Sequence, residues 1–103
     1  MSPLVRSRIA GVADSCRRRR VRRLALFGSA ASDSFDPSKS DLDLLAEFDA
    51  MSPTEHAEAY FSLQEDLQEL FGVPVDLVES GPIRNPYFRR AIERTQVVLY
   101  EGA

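Results

Sequence analysis

Leu24-Ala25-Leu26-Phe27-Gly28-Ser29, followed after a polar loop by Ser40-Asp41-Leu42-Asp43-Leu44-Leu45, decides how this chain is read. The first segment is an apolar strand closed by a Gly-Ser pair. The second is a strand carrying two aspartates one residue apart. Side chains alternate along a strand, so Asp41 and Asp43 share one side while Leu42 and Leu44 point the other way into a core. Two like charges held that close repel unless something cationic lies between them. A hard divalent cation with oxygen ligands answers that description, Mg²⁺ above all and Mn²⁺ as the alternative.

Working outward, a third acid joins the pattern. Asp76 interrupts the apolar strand Val73-Pro74-Val75-Asp76-Leu77-Val78. A carboxylate in such a strand is costly to bury unless it is paired or bound to metal. The plainer alternative is an aspartate on a strand edge, or one paired with an arginine. If its strand lies beside that of Asp41 and Asp43, three carboxylates meet. Two would hold a metal-nucleotide, and the third would share a second metal or accept a proton from an attacking hydroxyl. Gly28-Ser29 suits a phosphate: glycine admits close backbone approach, a following helix offers free N–H groups, and Ser29 adds a hydroxyl. Taken alone, Gly-Ser is far more often a turn, and only the downstream acids raise it above one.

The remaining elements alternate around this centre. Residues 3–19 predict a helix on the stripe Leu4, Ile9, Val12, Ala13 and Cys16. Residues 21–27 predict the first strand, and a short helix and loop follow from Ser29, with a turn at Asp36-Pro37-Ser38. Residues 41–48 are the second strand. Ser52, Pro53 and Glu55 form a capping box with proline at the first helical position. The stripe Tyr60, Leu63, Leu67, Leu70 and Phe71 then runs to a cap at Gly72, with Pro74 beyond. Residues 75–79 predict a third strand and Ser80-Gly81-Pro82 a turn. Asn85 caps a last helix opened by Pro86, with Phe88, Ala91 and Ile92 facing inward. Residues 96–100 predict the final strand. The order α-β-(α)-β-α-β-α-β gives an α/β (α+β) fold: one small mixed sheet of about four strands with helices against it, in a single domain spanning 1–103.

Composition narrows the class. With 44% hydrophobic and 28% charged residues in 103 positions, the chain has room for one core. No apolar run approaches the roughly 20 residues of a membrane span, and no apolar stretch follows the basic N-terminus as a secretory signal would require. The lone Cys16 has no internal disulfide partner and reads as a packing residue in a reducing, cytoplasmic setting.

The net charge of −3 hides an asymmetry: residues 1–23 carry eight arginines and one acid (+7), and the other eighty carry five bases and fifteen acids (−10). The run Arg17-Arg18-Arg19-Arg20 with Arg22 and Arg23 reads equally as a solvated helix end and as a surface for phosphates or an acidic partner. No aromatics interleave it, and the rest of the chain is acidic, so direct nucleic-acid binding is not expected. His56, in the first turn of a helix, reads as a surface residue, Glu47 as solvated, and Tyr87 and Tyr100 as amphipathic packing.

On Leu26-Phe27-Gly28-Ser29, Ser40-Asp41-Leu42-Asp43-Leu44, Val75-Asp76-Leu77-Val78 and the tail from Asn85-Pro86-Tyr87-Phe88 to Val97-Val98-Leu99-Tyr100-Glu101, the chain resembles the nucleotidyltransferase superfamily of the DNA polymerase β type. Within it, the resemblance is to the minimal nucleotidyltransferases, the MntA-like antitoxins, and it covers nearly everything after residue 20. It implies that Gly28, Ser29 and Ser40 hold a nucleoside triphosphate, that Asp41 and Asp43 bind Mg²⁺, and that Asp76 is the third catalytic and metal-binding carboxylate. The implied reaction is attack of a hydroxyl on the α-phosphate of ATP with release of pyrophosphate. The implied partner is a HEPN-domain toxin, a ribonuclease silenced by adenylylation of a tyrosine.

Two departures from the family pattern stand out. Gly-Ser-x-Ala-Arg is usual, but Ser32 follows Ala31 here, and the loop to Ser40 is one residue longer. Lys39 or the arginine run is a candidate replacement for that cation. The alternative function is an antitoxin with a weak or lost active site that neutralises its partner by contact alone. The absent arginine favours that alternative, and the three retained acids favour the enzyme.

Overall fold

The computed structural model describes residues 3–31, 41–79 and 85–102. The predicted turns at 36–38 and 80–82 lie outside these residues. Two helices, α1 (Pro3–Ser7) and α2 (Ile9–Arg18), stand where one was expected. Arg8 breaks the run at φ −110° and ψ 6°. The Arg8 N–H donates back three residues to the Val5 carbonyl, and the Ser7 hydroxyl donates to the Leu4 carbonyl, so the first helix closes tightly on itself. Val5, Val12 and Cys16 are completely buried. Arg20, in the left-handed region at φ 59°, turns the chain from α2 into the sheet. Its carbonyl accepts the Asp49 N–H at 2.9 Å.

The other elements are β1 (Val21–Leu26), a 3₁₀ turn (Gly28–Ala31), β2 (Leu42–Phe48), α3 (Pro53–Phe71), β3 (Val75–Glu79), α4 (Pro86–Thr95) and β4 (Val97–Glu101). They build the expected mixed four-stranded sheet, in the order β3-β2-β1-β4. Strand β1 runs antiparallel to both β2 and β4, whereas β2 and β3 are parallel. A parallel neighbour requires a crossover, and α3 provides it.

Alternation splits the sheet into two faces. Leu24, Leu26, Leu42, Leu44, Ala46, Val75 and Leu77 face the main core, where Val12 and Cys16 of α2 and Leu63, Leu67 and Phe71 of α3 close over them. Phe27 and Leu45 face the opposite side and form a smaller cluster with Ile92 of α4 and Val78. Burial of a whole leucine contributes roughly 1.5–3 kcal/mol, so the main core dominates stability. The smaller cluster sets the floor of the second face.

Helix α3 starts and stops as its sequence requires. The Ser52 hydroxyl accepts the Glu55 N–H at 3.2 Å, and the Glu55 carboxylate accepts the Ser52 N–H at 3.4 Å. Gly72 ends the helix at φ 69°, the left-handed cap that glycine adopts most readily. Along its length α3 also covers the outer edge of β3. The Tyr60 hydroxyl donates to the Leu77 carbonyl at 2.6 Å and the Gln64 amide to the Val75 carbonyl at 3.1 Å. The Val75 N–H donates to Gln68 Oε1 at 3.3 Å. These outward backbone groups would otherwise offer an open sheet edge.

Helix α4 departs from its sequence reading. Asn85 caps it as expected, its Oδ1 accepting the Tyr87 and Phe88 N–H groups. Of the three residues expected inside, only Ile92 is buried, while Phe88 and Ala91 are exposed. Ten residues touching the sheet mainly through one side chain leave most of the helix in solvent. Tyr87, expected to pack, is also exposed, whereas Tyr100 packs against the main core.

Candidate active site

Strand register brings Asp43 and the third acid, Asp76, together. In the parallel pairing, Asp43 of β2 stands opposite Asp76 of β3, and the next pair on that face is Leu45 with Val78. Asp41 lies just ahead of β2 and is exposed. The Asp43 carboxyl is held above its ordinary range, chiefly by burial, then by the charges of Asp76 and Asp41 and a hydrogen bond with Asp76. Carboxylates this close repel when charged, which disfavours ionisation of Asp43. Among the described residues no three acidic, histidine or cysteine side chains are already gathered as a metal cluster. The donors are nonetheless all carboxylate oxygens, and their repulsion is the kind a hard divalent cation relieves, so the set fits Mg²⁺ or Mn²⁺.

Gly28 supplies the other wall. Its backbone is left-handed at φ +62°, and a Cβ placed there would lie 2.8 Å from Asp43 Oδ2. Both facts favour glycine, and the second could not be read from the sequence because it depends on how β1 and β2 align. The Phe27 N–H donates to the Asp43 carbonyl at 3.1 Å, which pins the Gly28 turn to the acid-bearing strand. The backbone of Ser29 lies in the 3₁₀ turn that follows. Ser40, Ser32 and Lys39 fall outside the described residues.

The arginine run is largely tied down. Arg19 pairs with Asp66 of α3 at 2.8 Å, Arg18 with Asp14 and Arg20 with Glu55, each at 3.2 Å. The Ser15 hydroxyl, itself buried, also donates to Asp66. Arg19 above all, with Ser15 in support, holds the Asp66 carboxyl below the usual carboxylate range. The bonds of Ser15 and Arg19 to Asp66 join the end of α2 to α3, whereas Arg18–Asp14 lies within α2. His56, read as a surface residue, is partly exposed; it pairs with Glu79 and packs its ring against Phe48 with centroids 5.2 Å apart.

The small sheet thus sets a Gly-Ser turn against carboxylates on two neighbouring strands. The chain belongs to the nucleotidyltransferase domain family, whose model matches residues 9–98, and it is a nucleotidyltransferase. It is 40% identical over 80 residues to "Putative protein adenylyltransferase MJ0128" of Methanocaldococcus jannaschii, covering 78% of either chain. A solved structure described as a putative minimal nucleotidyltransferase matches with a TM-score of 0.67 at 31% identity, over 89% of both chains. A tri-AMPylated Shewanella oneidensis HEPN toxin in complex with an MNT antitoxin offers a further match in fold. Its TM-score is 0.63 at 16% identity, covering 95% of this chain and 73% of that one. Among the described residues, no helix is long and apolar enough to cross a membrane.

Proposed function

We propose that this nucleotidyltransferase is a protein adenylyltransferase that moves AMP from ATP to a hydroxyl, a tyrosine of a HEPN-type toxin ribonuclease, and so acts as that toxin's antitoxin. The observation that carries the reading is the opposition of Asp43 and Asp76 beside the Gly28 turn. Asp41, Asp43 and Asp76 would hold Mg²⁺ or Mn²⁺, which when bound neutralises the triphosphate and the charge that develops in transfer. Gly28, Ser29 and Ser40 receive the phosphates. Asp76 is exposed, which leaves it open to a large acceptor. It takes the proton as the acceptor oxygen bonds to the α-phosphorus and the bond to pyrophosphate breaks. The relative from Methanocaldococcus jannaschii supports protein as the acceptor class, and the AMPylated toxin complex supports the partner.

The test combines the purified chain, the protein encoded beside its gene, Mg²⁺ and ATP labelled on the α-phosphate. Label on a tyrosine of the partner, absent with Asp43→Asn, is the expected result. A tight complex without label would instead establish an antitoxin that works by contact.

A further inference from the structure

Helix α4 carries an aromatic ring that its own packing does not explain. Phe88 and Ile92 are one turn apart and share a helix face. Ile92 is buried against Phe27, Leu45 and Val78, yet Phe88 remains 46% exposed. The first turn of α4 therefore reaches past the small cluster and toward the 3₁₀ turn that begins at Gly28. There Phe88 is fixed edge-on by Phe27, with ring centroids 6.4 Å apart and planes at 87°. Edge-to-face packing leaves much of the Phe88 ring open, and Tyr87 beside it is 78% exposed. Phe27 immediately precedes Gly28 and is bonded through its backbone to Asp43. An oriented, half-open aromatic ring thus stands one side chain away from the phosphate turn and the acid pair.

We infer that Phe88 is the platform on which the nucleotide base stacks. This inference rests on the nucleotidyl-transfer reading of the same site. Stacking needs no charge, so it adds a hold on the nucleotide that the three nearby acids do not oppose. The helix N-terminus is not an alternative anchor for the phosphates, because Asn85 already takes the Tyr87 and Phe88 N–H groups. Every base presents a π-face, so Phe88 acts on adenine and guanine alike and strengthens binding without choosing between them.

The chain contains no tryptophan, so Phe88→Trp gives the protein one indole fluorophore, at this position. Titration with Mg²⁺ and either ATP, GTP or inorganic triphosphate reads the contact directly. Emission quenched by ATP and GTP but not by triphosphate is the expected result. In parallel, Phe88→Ala should weaken ATP and GTP binding about tenfold each, within the range of a single base–aromatic stack, and leave triphosphate binding unchanged. ATP binding that neither quenches the indole of Phe88→Trp nor weakens in Phe88→Ala would overturn the platform while leaving the phosphate site intact. If neither ATP nor triphosphate bound any form of the protein, the phosphate site would fail and the platform with it.

Discussion

Asp43 and Asp76, 33 positions apart in sequence, stand directly opposite each other on the parallel strands β2 and β3. Their pairing makes the acid face unstable toward full ionisation without a cation. Replacing either one should therefore separate stability from function. Asp43→Asn should abolish nucleotide transfer while leaving the metal-free melting temperature unchanged or raised. Calorimetry beside the labelling assay checks both, and a wild-type transfer rate in the variant would remove Asp43 from the site.

Gly28→Ala combines two penalties. A left-handed backbone costs a residue with a Cβ roughly 1–2 kcal/mol. The new methyl carbon must also displace Asp43 Oδ2 from 2.8 Å. We expect a stability loss of about that size together with loss of transfer, measured by urea unfolding and by label incorporation.

Acid should loosen the junction of α2 and α3. Arg19 keeps the Asp66 carboxyl below its ordinary value of 3.8, so its stabilising contribution is complete above that value. It disappears as the pH falls through 3.8 toward the lower value of the folded state. Charge-assisted hydrogen bonds of this kind contribute about 1.5–3 kcal/mol. Asp66→Asn should lower stability at neutral pH and flatten the acid limb of a stability–pH profile.

Cys16 should be silent in the folded protein. Burial, opposed by the charge of Arg17, pushes its thiol up to about 12. The thiolate is the reactive form, so iodoacetamide at neutral pH should label Cys16 only as the chain unfolds. Rapid labelling without denaturant would show that α2 opens locally.

The covered edge of β3 offers a further test on stability. Gln64→Ala removes the donor to the Val75 carbonyl and should cost about 1 kcal/mol. Light scattering should also report more self-association once part of that edge is exposed.

Local chemistry made much of this legible in advance. The capping box at Ser52, the glycine end of α3 and the alternation of Leu42 and Leu44 with Asp43 each follow from residues close in sequence. The break at Arg8 and the exposure of Phe88 do not. The first arises from a tight backbone bond inside an otherwise continuous apolar stripe, and the second from how far α4 extends beyond the sheet. Asp76 stands out in sequence as a carboxylate costly to bury, yet it is exposed on an edge strand, which is the plainer alternative. Its opposition to Asp43 depends on a parallel register that no local pattern encodes. The same holds for the contact between Gly28 and Asp43, which joins the turn after β1 to β2.

The route of the chain through α3 has a consequence for how the site comes into being. Gly28 follows β1 and Asp43 lies on its antiparallel neighbour β2, so their contact comes from segments close in sequence. Asp76 joins them only through the pairing of β3 with β2 across the nineteen residues of α3, a contact of longer sequence range. A partly melted chain that keeps only the pairing of β1 with β2 therefore holds the Gly28 turn without Asp76, the proposed proton acceptor. Asp43 and Asp76 face each other only in molecules whose β2–β3 pairing is intact.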